Sequence, residues 1–179
     1  MLLLISDANI LIDIEIGGLI APMFSLDYQF VVPDILFYEE LEERHSYLLE
    51  MGLTASELDE ALVMRVAKLA AQYPRPSRND LFALVLAAKE DCALLTGDKD
   101  LKFAADTENV EVRGTLWLVN EMARTGKISV NVARGAYQRM RALGRRLPWE
   151  LAESGLREIE QKGEKRINVM SSPVRIPED

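Results

Sequence analysis

Two hydrophobic patterns alternate along the first two thirds of the chain. Short all-apolar or β-branched runs, which predict buried strands, are separated by segments whose apolar residues recur every three or four positions, which predict helices. The first run, Leu2 to Ile5, stops at Ser6-Asp7, and Ile10, Leu11 and Ile14 then follow at helical spacing. Asp7 therefore falls where a strand hands over to a helix. Gly17-Gly18 interrupts that helix, and Leu19, Ile20, Met23 and Phe24 resume it. Tyr28 to Val32 reads as a second strand, and Pro33-Asp34 opens a helix expected to run from Ile35 to about Met51-Gly52. Thr54-Ala55-Ser56-Glu57 has capping-box spacing, so the next helix is expected to start there and continue through Leu58, Leu62, Val66 and Leu69. After Tyr73-Pro74-Arg75-Pro76 a helix begins between Ser77 and Asp80. It is apolar almost all round from Leu81 to Ala88, the pattern of a helix buried against a sheet. Ala93 to Thr96 and Val110 to Val112 complete the set of strands, with a short helix carrying Leu101 and Phe103 between them.

This alternation, without hairpin signals, predicts an α/β fold with a parallel central sheet covered on both faces. From Thr115 the pattern is helical throughout. Leu116 to Met122 leads to Gly126, Val130 to Leu143 forms a second helix and Trp149 to Ile159 a third. The expected organisation is a core domain over 1–125, a C-terminal helical extension over 126–162 packed on it, and a flexible tail over 163–179.

At 179 residues, 49% of them hydrophobic, the chain can bury one sizeable core. No apolar run approaches the roughly 20 residues of a membrane span, and the run after Met1 lacks a basic region or cleavage site. A cytoplasmic protein that makes no membrane contact is expected. The net charge of −8 argues against nucleic-acid binding by the whole surface. The acidic residues are concentrated before residue 112, whereas Arg134, Arg139, Arg141, Arg145 and Arg146 cluster in a short later stretch, a candidate basic face. Cys92 and His45 are the only cysteine and histidine, so thiol–imidazole catalysis and a zinc site are excluded in practice. Oxygen ligands remain.

Asp7, Asp98 and Asp80 all fall at the end of a predicted strand or the start of a predicted helix, at one edge of the sheet, and Glu39 or Glu40 can point toward them. Each acid also has a local reading. Asp7 and Asp98 can cap helices, Ser77 and Asp80 can form a capping pair, and Glu40 can pair with Arg44 on a solvated face. Together, four carboxylates in one cleft would repel one another unless a cation neutralised them, and Mg²⁺ or Mn²⁺ suits all-oxygen donors.

These residues resemble the PIN domain family over roughly residues 2 to 120. Ser6-Asp7-Ala8-Asn9 is similar to its opening motif, Glu40-Leu41 to its helix glutamate, Asn79-Asp80 with Ala87-Ala88 to its third acid, and Leu95-Thr96-Gly97-Asp98-Lys99-Asp100-Leu101 to its fourth-acid loop. Val112-Arg113-Gly114-Thr115 follows in the expected place. The resemblance implies a three-layer α/β/α sandwich and a metal-dependent ribonuclease. Asp7, Glu40, Asp80 and Asp98 would hold Mg²⁺ or Mn²⁺, Asn9 and Thr96 would support them, and Asp100 would be an auxiliary acid. Length and layout are similar to VapC-type toxins, which implies RNA as substrate, an antitoxin protein as partner and a homodimer. Arg139, Arg141, Arg145 and Arg146 are then candidates for RNA contact, with a solvated helix face as the alternative. Two rival readings remain. One is an inactive PIN-like module whose acidic groove holds a basic peptide. The other is a receiver-like or phosphatase-like protein, disfavoured because Asn9 stands where a second aspartate is usual.

Overall fold

A computed structural model describes residues 2–170. Its centre is a five-stranded parallel sheet in the order β3-β2-β1-β4-β5: β1 (Leu2–Ser6), β2 (Tyr28–Pro33), β3 (Thr54–Ser56), β4 (Ala93–Leu95) and β5 (Val112–Arg113). Leu4, Ile5, Phe30, Val32, Leu94 and Leu95 are each at most 2% exposed, as expected of strands covered on both faces. In register, Ile5 pairs with Val31 on one side and Leu94 on the other.

Helices cover both faces. In the N-terminal half these are α1 (Ala8–Ile16), α2 (Ile20–Phe24), α3 (Asp34–Leu36), α4 (Glu42–His45), α5 (Tyr47–Met51) and α6 (Glu60–Gln72). Then come α7 (Arg78–Lys89), α8 (Lys99–Thr107), α9 (Thr115–Arg124), α10 (Val130–Ala142) and α11 (Trp149–Met170). The apolar helix α7 packs across β1, β2 and β4, and Ala83, Leu84, Val85 and Ala87 lose all exposure. The architecture is the expected α/β/α sandwich. The C-terminal helices pack onto it, α10 against α1 and α9, and α11 against α9 and α10. None of the described helices is long and apolar enough to cross a membrane.

The structure departs from the sequence pattern in three places. Thr54 to Ser56 does not start a helix. It pairs with Val31 to Pro33 as the edge strand β3, and Asp59 caps α6 instead, accepting from the Leu62 N–H at 2.9 Å. A β-branched residue just after the left-handed turn at Gly52 (φ 119°) is better placed to satisfy the open edge of β2 than to begin a helix. The helix expected over Ile35–Met51 is also not continuous. Between α3 and α4, Phe37–Leu41 winds as a π-helical turn, and Ser46 separates α4 from α5. Glu39, Glu40, Glu42 and Glu43 would repel one another at i,i+3 and i,i+4 on a regular helix, which weakens the ladder there. Finally, α11 continues past Gly163 to Met170, and the rest of the segment expected to be a flexible tail, 171–179, lies outside the described residues.

Candidate metal centre

β1 is central, and the chain builds outward from it first through β2 and β3, then through β4 and β5. The direction of winding reverses between β1 and β4. In open parallel sheets the crevice at such a reversal, beyond the carboxyl ends of the strands, is where ligands bind. Asp7 and Asp98 both emerge there, and the Asp7 N–H ties the two strand ends together by donating to the Leu95 carbonyl at 3.0 Å.

The local readings of the acids are all realised in part. Asp7 caps α1, its Oδ1 accepting from the Ile10 N–H at 2.9 Å. Asp98 caps α8, its Oδ1 accepting from the Leu101 N–H at 2.7 Å. Ser77 and Asp80 form a reciprocal capping box, with Asp80 Oδ2 accepting from the Ser77 N–H at 2.9 Å. Each cap consumes one carboxylate oxygen and leaves the other. A capping role and a ligand role are therefore compatible.

Asp7 is the residue under strain. It is 1% exposed, and Oδ2 is buried without a hydrogen-bond partner among the described residues. Burial pushes its carboxyl up to about 6, and the charges of Asp80 and Asp13 push the same way. The Thr96 hydroxyl nearby and the Ile10 N–H pull it back. Thr96 is itself 4% exposed, and its hydroxyl accepts from the Asp98 N–H at 3.0 Å, which shapes the loop after β4.

Glu39 and Glu40 lie in the π-helical turn, a conformation that collects at functional sites because the extra residue re-aims side chains. The buried Asn79 amide bridges them, donating to Glu39 Oε2 at 2.9 Å and to Glu40 Oε1 at 2.8 Å. Arg78 takes the other Glu39 oxygen at 2.9 Å. Glu39 is thus occupied on both oxygens. No bond among the described residues uses Glu40 Oε2.

A cleft of about 1060 Å³ opens beside the loop after β4, lined by Asn9, Asp13, Asp98, Asp100, Thr115 and Arg145, with Lys99 and Arg146 also on its wall. Of the four candidate acids only Asp98 lines this cleft; Asp7, Glu40 and Asp80 do not. Asp100 sits on its rim, 3.4 Å from exposed Arg75. As the side chains stand, no three His, Cys, Asp or Glu residues among those described lie close enough together to hold an ion. The donor chemistry nevertheless fits Mg²⁺ or Mn²⁺. Asp7 Oδ2 is a buried, unpartnered oxygen at the strand end, and Asp80 and Asp98 each have one oxygen outside their caps.

The arginine cluster is less available than its sequence implied. Arg134 bridges Glu153 and Glu160 on α11, and Arg139 donates to the Gly17 carbonyl at 2.5 Å. Arg141 lies over the Trp149 ring, 6.0 Å from its centroid. Arg145 pairs with Asp13 and reaches Asn9. Arg146 is exposed on the cleft wall. The residues that sequence reasoning passed over are Asp13 and Thr115. An acid set among Ile10, Leu11 and Ile14 was the available signal for Asp13, but its partners lie 102 and 132 positions away.

A family model described as PIN domain matches residues 3–161. No curated protein and no solved structure matches the chain.

Proposed function

The chain belongs to the PIN-domain family, and from that premise we propose that it is a metal-dependent ribonuclease, the toxin of a toxin–antitoxin pair. PIN domains are generally nucleases, so a hydrolase acting on phosphodiester bonds is the coarse expectation. The observation that carries the finer reading is Asp7 Oδ2, buried and unpartnered at the reversal point of the sheet. A buried polar atom without a partner costs about 1–3 kcal/mol, which a cation on that oxygen would offset.

In this reading Asp7, Glu40, Asp80 and Asp98 hold Mg²⁺ or Mn²⁺, which when bound stabilises the charged oxygens of a phosphodiester and favours attack by water. Asp7 stays fixed by its cap while presenting Oδ2. Asp98 and Asp80 present their second oxygens, and Thr96 holds the Asp98 loop in place. Glu40 rather than Glu39 is the helix ligand, because Arg78 and Asn79 occupy Glu39. Asn9 and Asp100 line the approach, and Lys99 and Arg146 on the cleft wall meet the RNA backbone. A guanidinium is drawn to such a carboxylate cluster as a metal is, so an antitoxin would inhibit by placing an arginine there.

The test is incubation of the purified protein with mixed structured RNA in Mg²⁺, in Mn²⁺ and in chelator, beside an Asp7→Asn, Asp98→Asn double variant. Cleavage that needs metal and disappears in the variant supports the proposal. Failure to cleave, together with failure to bind either ion by calorimetry, overturns it in favour of a module whose acidic groove holds a basic peptide.

A further inference from the structure

We infer that Arg145 is a positioning residue for this centre, acting through Asp13 and Asn9 rather than on the RNA. The inference rests on the nuclease reading above. Asp13 is a second buried carboxylate on α1, 5% exposed, two turns beyond Asp7. A buried carboxylate is stable only with its oxygens satisfied and its charge paired. Both conditions are met from outside the helix. The Thr115 hydroxyl at the start of α9 donates to Asp13 Oδ2 at 2.7 Å, and Arg145 Nε donates to Oδ1. The same guanidinium continues along α1 to Asn9, with Nη2 3.3 Å from Asn9 Oδ1 and 3.5 Å from its carbonyl oxygen.

Arg145 stands in the connection between α10 and α11, in the C-terminal extension. It therefore joins that extension to the first two turns of the helix that Asp7 caps. This does two things. The fork of Nε and Nη2 holds the Asn9 turn against Asp13, so the start of α1 cannot shift independently of the cleft wall. It also pairs the charge of Asp13, which would otherwise stand buried and unpaired in the same helix. Only 27% of the arginine side chain is exposed, and the two nitrogens that would form a fork on a phosphate are already turned onto α1. The C-terminal helices are thus a working part of the centre.

The experiment compares R145Q, R145K, D13N and the double variant D13N/R145Q by three readouts. These are amide exchange of residues 9–14 in metal-free protein, thermal stability, and kcat and KM on RNA. Expected for R145Q are faster exchange in α1 and a fall in kcat of about tenfold or more with KM little changed, since a small misplacement of a reacting group is expensive in rate. R145K, which keeps the charge without the fork, falls between wild type and R145Q. In D13N/R145Q no buried charge is left unpaired, so the part of the kcat loss that comes from the Asp13 charge returns, while the part that comes from the lost fork does not. A raised KM with unchanged α1 exchange and no rescue would mean that Arg145 touches RNA directly, and would overturn the inference. Lower thermal stability with kcat per folded molecule intact would also overturn it, leaving a scaffold contact only. If wild-type protein cleaves no RNA the function proposed above fails, while α1 exchange and its rescue by D13N still decide whether Arg145 fixes α1.

Discussion

The two ends of the central sheet each bury an acid, and they treat it in opposite ways. At the amino end, Glu121 on α9 is 9% exposed. Arg124 forks onto both of its oxygens at 2.7 to 3.0 Å, and the Tyr28 hydroxyl donates to Oε1 at 3.1 Å. The Arg124 bonds foremost, with Tyr28 helping against burial, hold its carboxyl below the usual range. At the carboxyl end, Asp7 is buried more deeply, has no cation bonded to it, and is pushed up to about 6. Two things separate these groups: Asp7 is the more deeply buried, and only Glu121 has a guanidinium on its oxygens. One end of the sheet is electrostatically finished by the chain itself, and the other is left with a deficit that a cation would fill.

The largest expected effect is on catalysis. Asp7→Asn and Asp98→Asn keep both caps, because asparagine caps as well as aspartate, yet each removes the charge of a proposed ligand. Either should lower metal-dependent cleavage by about 100-fold or more, while Glu121→Gln leaves it within a few-fold. Equal losses at both ends would break the comparison. Next in size is the stability of metal-free protein. With its folded pKa above the unfolded value of 3.8, Asp7 binds its proton more tightly when folded. Its contribution is fully present below about pH 4, declines as pH rises through about 6, and is absent at pH 7. A shift of about two units corresponds to about 3 kcal/mol, so Asp7→Asn should stabilise the metal-free protein at pH 7 by up to about that amount in urea unfolding. A destabilised variant would contradict it. The same proton competes with the metal, so Mn²⁺ affinity measured by calorimetry should fall as pH drops below about 6. Affinity that is flat from pH 7 to 5 would remove Asp7 from the ligand set.

Glu121 should behave in the reverse sense. Its folded pKa is lowered, so its contribution is present above the unfolded value and lost as pH falls. Glu121→Gln should cost about 1–2 kcal/mol at pH 7 and progressively less toward acid, checked by the same unfolding series.

The contrast between the two ends also marks what could be read in the sequence. The strands around Leu4, Phe30 and Leu94 and the buried helix at Leu81–Ala87 followed from apolar periodicity, because burial on two faces leaves no other pattern. Asp7, Asp80 and Asp98 are legible as boundary residues, and each does cap a helix or close a capping box, because residue type and position there carry the same message. What could not be read were the pairings over long separations. Nothing near Asp13 announces Arg145, nothing near Glu39 announces Asn79, and the arginine cluster looked like a basic face because its carboxylate partners on α1 and α11 come from other parts of the chain. Thr54–Ser56 departs from its local pattern for a related reason. Its capping spacing is local, whereas the open edge of β2 that claims it as a strand is not.

The smallest expected effect probes how completely the amino end is finished. Tyr28→Phe removes one hydroxyl and keeps the ring, which packs edge-on against Phe30 and Trp117. Glu121 would still hold its two-pronged contact with Arg124, so no buried charge is left without a partner. The loss should be about 1 kcal/mol or less, the worth of a single hydrogen bond to an ion that stays paired. It should also depend on pH. The hydroxyl donates to an ionised carboxylate, so the difference between variant and wild type should be present at pH 7 and shrink at acid pH as Glu121 takes up its proton. Urea unfolding at pH 7 and pH 3 separates this from a packing defect, which would cost the same at both. A pH-independent loss would mean a packing defect and no bond of consequence to the carboxylate, whereas a pH-dependent loss of several kcal/mol would mean that the Tyr28 hydroxyl is the main support of Glu121, and that the two ends of the sheet differ less in their electrostatics than their geometry implies.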